Sequence, residues 1–259
     1  MEWEAMDAPA SLPPEISVVV PAYNEEENLV PLTSAITETL AAHGVSYELL
    51  YVDDGSRDST MQVLRDLAAK QPEVCFIRFR RNAGQSAALD AGFRRARGRV
   101  VVTLDADLQN DPADIPGLLE RLKDYDVVCG IRQGRQDTWL RRMSSMLANS
   151  IRRRVLGDDI VDIGCSLRVY RRDCLASIKL YDGMHRFLPV LLSIEGFRIG
   201  QTPVRHHPRQ YGRSKYNLRN RAWRALTDLL AVRWMKRRQL RYEVIEAEAG
   251  TIGARNGQC

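Results

Sequence analysis

Val100–Pro112 reads VVVTLDADLQNDP, and its reading decides the fold. Three β-branched residues, Val100 to Val102, lead through Thr103 and Leu104 into Asp105 and Asp107, with Gln109 two residues further on. A continuous apolar run of this length is the mark of a strand buried on both faces, as in a parallel sheet. Such strands seldom end in a cluster of carboxylates without a chemical reason.

Working outward, the same grammar repeats. ISVVVPAYN (16–24) is a β-branched strand, and Asn24 is placed to cap a helix over EEENLVPLTSAITETLAAHG, with acids in its first turn and Gly44 as its stop. YELLYVDDGS is a second strand and STMQVLRDLAAKQP a second helix. VCFIRFR, GQSAALDAGFRRARG and RVVVTLD follow as strand, helix and strand. PADIPGLLERLKD then predicts a helix, and YDVVCGIR a strand. Strict alternation implies an α/β, Rossmann-like, mostly parallel sheet flanked by helices. Beyond it come a basic amphipathic helix, TWLRRMSSMLANSIRRRVLG, a strand with a helix after it in CSLRVYRRDCLASI, and a late strand in GFRIGQTPVRHHP. A last helix lies in YNLRNRAWRALTDLLAVRWMKRRQL. The expected organisation is a disordered leader over 1–15, one domain over 16–240 and a disordered tail over 241–259.

Composition narrows the class. The 259 residues, 44% hydrophobic and 27% charged, are those of a folded soluble chain. Net charge is +5 and uneven: Arg205 to Arg241 holds ten arginines and two lysines against one acid, Asp228. An anionic partner is implied. Five cysteines without a CxxC pair read as reduced thiols, neither a disulfide frame nor a zinc site. The acidic, proline-rich start is not a signal peptide, and no apolar run approaches the roughly 18 to 20 residues of a membrane span. Few aromatics, in no stacking pattern, speak against nucleic acid as the partner of the basic end.

In open parallel sheets ligands bind at the carboxyl ends of the strands. Here those ends carry PAYNEEE, VDDGSRDST and LDADLQ. Neither GxGxxG nor GxxxxGK[ST] follows a strand, which removes the best support for hydride transfer and for ordinary nucleotide hydrolysis. Carboxylates repel phosphate, so an acidic site suits a nucleotide diphosphate only through a divalent cation. Mg²⁺ or Mn²⁺ takes oxygen ligands from one or two carboxylates plus phosphate and water. Read as extended backbone, Asp105, Asp107 and Gln109 alternate onto one side and can converge on one such ion. Taken alone, an Asp-x-Asp is as readily a solvated turn. Pro21 could equally end a strand, Tyr23 fill a core, and Asp53 or Asp54 cap a turn.

The ensemble is more specific than its parts. VVVPAYNEEENL, YVDDGSRDST, RNAGQSAALDAGFRRARG and LDADLQNDP, in that order, resemble the family-2 glycosyltransferases of the GT-A fold. GIRQGRQDTWLRRMSS, DIGCSLRVYRRD and YGRSKY are similar to the polyprenyl-phosphate branch, which includes dolichol-phosphate mannose synthases and undecaprenyl-phosphate sugar transferases. The resemblance spans about Ile16 to Leu240. It implies that Pro21, Tyr23, Glu25, Val52 and Asp54 line a nucleoside pocket. Asp105, Ala106 and Asp107 would meet the ribose and diphosphate, and Asp107 and Gln109, with Asp105, would hold the metal. Arg132 would approach the diphosphate, Arg209 and Lys215 would close over it, and Asp162 would stand on the acceptor side.

The implied reaction is inverting, metal-dependent transfer of a sugar from a UDP- or GDP-sugar to a polyprenyl phosphate. Asp107, Arg132 and Asp162 are the candidate catalytic residues. The alternatives are a family-2 transferase acting on a soluble or polysaccharide acceptor, and a non-catalytic membrane-bound scaffold. Trp139, Trp223 and Trp234 among arginines on amphipathic helices suit an anionic membrane surface, so the expected location is cytoplasmic and peripheral to the membrane. Relatives of that branch continue into two transmembrane helices. The polar tail here leads instead to the expectation of surface binding or of a small transmembrane partner subunit.

Overall fold

The computed structural model describes residues 12–134, 139–208 and 218–240. Seven strands form one sheet in the order β3-β2-β1-β4-β6-β5-β7. β1 (Ile16–Ala22) and β2 (Tyr47–Asp53) pair in parallel from Ile16 opposite Tyr47 to Ala22 opposite Asp53. β3 (Val74–Arg78) extends the sheet beside β2, and β4 (Val100–Thr103) lies on the other side of β1. β5 (Val127–Gln133) and β7 (Ile199–Arg205) are parallel to each other.

β6 (Arg168–Arg171) alone runs the other way, wedged between β4 and β5. Its direction follows from the route of the chain. After β5 the backbone passes into α5 (Trp139–Leu156) and returns through residues 157–167 to the edge where β5 ended. The next strand must therefore run back. That reversal delivers Asp162 to Ser166 to the end of the sheet where the parallel strands finish.

Strands buried on both faces need apolar side chains on both, and the helices supply the cover. Val18, Val20, Leu49, Tyr51 and Val102 pack under α1 (Leu29–Ala42), α2 (Thr60–Lys70) and α4 (Ile115–Arg121). Val19, Leu50, Val101 and Cys129 pack under α3 (Gln85–Arg95), α6 (Arg172–Ala176) and α7 (Leu188–Ile194). Each fully buried aliphatic side chain contributes roughly 1.5–3 kcal/mol. A third cluster joins the end of α5 and α7 to α8 (Leu218–Arg238) through Leu156, Leu191, Leu229 and Val232.

Two local expectations are corrected. Asn24 does not cap α1, which begins at Leu29 with Asn28 as its cap residue and no acid in its first turn. Asn24 instead adopts φ +52°, and its Oδ1 accepts from Arg57 N while its own N–H donates to Ser56 Oγ. The polar side chain tolerates the left-handed region and locks the end of β1 to the end of β2. The second correction concerns Leu104–Gln109, which is a turn and not extended backbone, with Leu108 at φ +58°. The 3-10 turn Met184–Phe187 and α7 behind it were not assigned from sequence. LPVLLSI is a short apolar run, and periodicity does not distinguish a strand from a buried helix at that length.

Candidate active site

Six strands finish at one edge of the sheet, and the polar residues collect there. At the end of β2, Asp53 is fully buried. Its Oδ1 accepts from Ser56 N at 3.0 Å, and Arg78 Nε lies 3.7 Å from Oδ2. Asp54 turns the opposite way, toward the segment before α3. Its carboxylate accepts from Ala83 N at 2.6 Å, Gly84 N at 2.9 Å and Asn82 Nδ2 at 2.8 Å. Burial raises its pKa, and the two amides partly offset that.

Beside them, the end of β1 carries Pro21, Tyr23 and Glu25. Pro21 is buried and Tyr23 half-buried. Glu25 N donates to Thr60 Oγ1 and Glu25 Oε2 accepts from Asn28 Nδ2 at 2.6 Å, so this loop is fixed to the start of α2. Val52 is fully enclosed in the core. Its backbone is what it presents at the strand end. Ala106 also packs into the core.

The turn after β4 is the centre of the arrangement. Gln85 Nε2, at the first position of α3, donates to Asp105 Oδ1 at 2.7 Å. Asp105 N donates to Ser166 Oγ at 3.3 Å, and the same hydroxyl accepts from Asn110 Nδ2 at 2.8 Å. Gln109 N donates to Asp107 Oδ1 at 3.2 Å, closing an Asx-type turn that brings the residues together despite the lost alternation. Burial and the neighbouring Asp107 charge push the Asp105 carboxyl well above the usual carboxylate range. Among the described residues Asp105 makes no ion pair.

On the far side of the turn, His207 N donates to Gln109 O at 2.8 Å, and Gln109 Nε2 lies 3.5 Å from His207 O. His206 bridges Asn110, and His207 Nε2 stands 3.2 Å from Asp111 Oδ2. The segment after β7 is thus stapled to the Asp-x-Asp turn two residues before Arg209. Arg209 and Lys215 themselves lie outside the described residues, as do the side chains of Trp139 and Trp223.

Arg132 and Asp162, expected on opposite sides of the reaction, are joined. Arg132 Nε and Nη2 each donate to the Asp162 carboxylate at 2.8 Å, a two-point pair, and Arg132 N donates to it at 3.2 Å. Gly164 N also donates to Asp162 Oδ1. A Cβ at Gly164 would lie 2.6 Å from Arg132 Nη2, so the glycine is what lets the guanidinium lie across the turn. The pair leaves Arg132 Nη1 out.

Behind this front lie residues not singled out from sequence. Arg168, at the start of β6, is buried and donates to the carbonyls of Ile163, His185 and Arg186. Ser86 Oγ and His185 Nδ1 are 2.8 Å apart. Burial, reinforced by Arg186 and Arg168, lowers the His185 pKa to about 3, so its ring stays neutral. Gln85, Ser86 and Arg168 lay within quoted motifs, and His185 did not.

The donor set fits a hard divalent cation. Asp105 and Asp107 repel each other, Arg168 and Arg132 offset this only in part, and Gln109 closes the same turn through its N–H to Asp107. Oxygen donors of this kind suit Mg²⁺ or Mn²⁺ and not zinc.

Residues 17–178 match the family model described as glycosyl transferase family 2. The chain belongs to that family. A dodecaprenyl-phosphate galacturonate synthase of Rhizobium johnstonii is 38% identical over 233 residues, 88% of this chain and 69% of the relative. An undecaprenyl-phosphate 4-deoxy-4-formamido-L-arabinose transferase of Edwardsiella ictaluri is 41% identical over 206 residues, 78% of this chain and 63% of the relative. The chain thus spans about two thirds of the length of these relatives. Among solved structures, a mannosyltransferase of Pyrobaculum calidifontis with GDP-Man and Mn²⁺ superposes with a TM-score of 0.64 at 20% identity, covering 89% of this chain and 67% of that one. Glucosyl-3-phosphoglycerate synthase of Mycobacterium tuberculosis, with Mn²⁺, UDP and phosphoglyceric acid, gives 0.66 at 21% identity, covering 85% and 78%. The glycosyltransferase family 2 fold here is therefore GT-A. Among the described residues no helix is long and apolar enough to cross a membrane.

Proposed function

We propose that this glycosyltransferase moves a sugar from a nucleotide diphosphate sugar to a polyprenyl phosphate, with inversion, at an anionic membrane surface. Two relatives at 38% and 41% identity, both named for polyprenyl-phosphate acceptors, support the acceptor class. The observation that carries the chemistry is the commitment of Asp162. Both its oxygens are bonded to Arg132, which suits a positioning carboxylate and not a base. A hydroxyl acceptor needs proton removal. A phosphomonoester is ionised at neutral pH and needs none.

Asp105, Asp107 and the Gln109 amide oxygen would hold Mg²⁺ or Mn²⁺. When bound, such an ion offsets the negative charge that develops on the departing diphosphate. The strand-end loops of β1 and β2, with Tyr23 and Glu25, receive the nucleoside. Asp162 aims Arg132 so that Nη1 remains available to a donor phosphate, supplying fixed positive charge where negative charge builds. Arg209 and Lys215, following the segment stapled by His207, add two more cations from a closing loop.

On the membrane side, α8 exposes Leu226, Leu230 and Trp234 beside Arg233, Arg237 and Arg238, and α5 exposes Met143, Met146 and Ile151. Apolar side chains interleaved with arginines suit peripheral docking on an anionic leaflet. A small transmembrane partner subunit would reinforce it.

The test is transfer of labelled sugar from UDP- and GDP-sugars into an organic-extractable product with polyprenyl phosphate and Mn²⁺. Loss of product in excess chelator is expected. Label recovered in a water-soluble oligosaccharide or protein, with no lipid product, would replace this reading with the soluble-acceptor one. No release of nucleotide from any sugar donor would leave a scaffold.

A further inference from the structure

We infer that Gln85 is a positioning residue for the Asp105 carboxylate, an uncharged donor that fixes one carboxylate oxygen and leaves the pair's negative charge whole for a cation. The inference rests on the proposed cation site at Asp105 and Asp107. The contact is short and direct, Nε2 to Oδ1 at 2.7 Å. What makes it more than a chance hydrogen bond is how firmly the start of α3 is held on both sides of Gln85.

On one side, Asp54 from β2 takes the N–H groups of Ala83 and Gly84 and the Asn82 amide. Gly84, at φ +92°, permits the bend that lets all three point at one carboxylate. On the other side, Ser86 Oγ meets His185 Nδ1 at 2.8 Å and accepts from His185 N at 3.4 Å. The carbonyl of His185 is in turn held by Arg168 Nη1 at 3.0 Å, and Arg168 Nη2 grips Ile163 O at 2.6 Å, next to Asp162. One glutamine is thereby located by β2, by β6 and by the 3-10 turn before α7. Rigid support of this kind is what keeps a metal-binding carboxylate in a productive orientation before the ion arrives.

The choice of an amide follows from charge. Asp105 and Asp107 repel each other, and some donor must hold Asp105 in place. A lysine or arginine would do so while cancelling the charge that attracts the cation. An amide N–H donates without cancelling it.

The experiment is Mn²⁺ titration of the purified full chain, read by electron paramagnetic resonance, with and without UDP or GDP. Thermal midpoints are measured in parallel. Gln85→Met keeps the side-chain length and removes the donor, and Gln85→Ala removes both. Each should weaken Mn²⁺ binding by about 10- to 100-fold, the usual effect of losing a supporting hydrogen bond, with little change in thermal midpoint. Gln85→Lys restores a donor but adds charge, and should bind Mn²⁺ at least as weakly as Gln85→Met. Wild-type affinity in Gln85→Met, or recovery in Gln85→Lys, would overturn the inference while leaving the cation site standing. A loss of binding that merely tracks a fall in thermal midpoint would also overturn it. If Asp107→Ala binds Mn²⁺ like the wild type, the cation site fails and this inference with it.

Discussion

The two ends of the sheet both bury carboxylates, and they treat them in opposite ways. At the end where the parallel strands start, Glu48 accepts from Ser17 Oγ at 2.6 Å, from Arg97 N at 2.7 Å and from Arg97 Nε at 2.8 Å. Gly98 N donates to the same Ser17 hydroxyl. In this cluster the Glu48 carboxylate is answered by Arg97 and by Ser17. At the end where they finish, the Asp105 carboxylate accepts from the neutral Gln85 amide and faces Asp107, another carboxylate, whose repulsion Arg168 and Arg132 offset only in part. A buried charge left without a counter-charge is costly. The fold pairs Glu48 directly with Arg97 and leaves Asp105 only partly offset, where a cation could relieve the rest.

Substitution at each end should therefore have opposite signatures. Asp107→Ala is expected to lower turnover by about 10³-fold or more, since it removes a charge-stabilising element of the site. Its thermal midpoint in the absence of metal should hold or rise, because one of two repelling charges is gone. Turnover near wild type would show that the acidic turn is only a solvated bend.

Glu48→Ala is the mirror experiment. It should destabilise the fold by about 2–3 kcal/mol, at or just below the low end of the roughly 3–5 kcal/mol for breaking a buried pair, because Arg97 is partly exposed and can turn to water. Mn²⁺ affinity and donor KM should stay as they were. A selective loss of activity without a loss of stability would mean that the two ends are not separate in function.

The sequence announced much of this and missed the rest for identifiable reasons. β-branched runs and helix periods located β1 to β4 and their helices, most plainly at β1, β2 and β4, where parallel strands buried on both faces leave little ambiguity. The acids at Asp53, Asp54, Asp105 and Asp107 stood out by chemistry at strand ends. What stayed hidden depends on pairing across the chain. The bond between Arg132 and Asp162 links residues thirty positions apart, and Ser86 meets His185 across ninety-nine. No local pattern records such contacts. The turn at Leu108 was misread as extended because an x-Asp-x-Asp spacing reads alike in both conformations, and only φ separates them.

His185 is a third treatment of a titratable group, kept neutral beside the open end. Its pKa is lowered to about 3 from 6.5, so the native state binds a proton less readily than the unfolded chain. Its contribution to stability is complete above pH 6.5 and is lost as pH falls from there toward 3. By pH 5 the loss should be about 2 kcal/mol. Urea midpoints measured from pH 7 to 5 would show the slope in wild type, and His185→Gln should flatten it. An equal slope in both would place the acid sensitivity elsewhere.

The smallest expected effect lies away from the sheet, on α8, where apolar side chains are uncovered instead of charges. Trp234 is 63% exposed and Leu230 55%, one turn apart, with Arg233, Arg237 and Arg238 around them. An indole held in water among guanidinium groups gains little from the fold. At a membrane interface it gains apolar contact while the arginines meet lipid phosphates. Vesicles containing anionic phosphatidylglycerol should bind the full chain at low salt and release it as salt rises, since exposed charges are screened within about 10 Å at 0.1 M. Trp234→Ala should weaken that binding by a few-fold, about 1 kcal/mol, and leave Mn²⁺ affinity untouched. Arg237→Ala should cost a similar amount, near the roughly 1 kcal/mol per basic residue expected at an anionic surface, and should also reduce the salt dependence, which Trp234→Ala should not. If both variants bind vesicles as wild type does, α8 is not the docking face, and its exposed indole must be covered by something other than lipid.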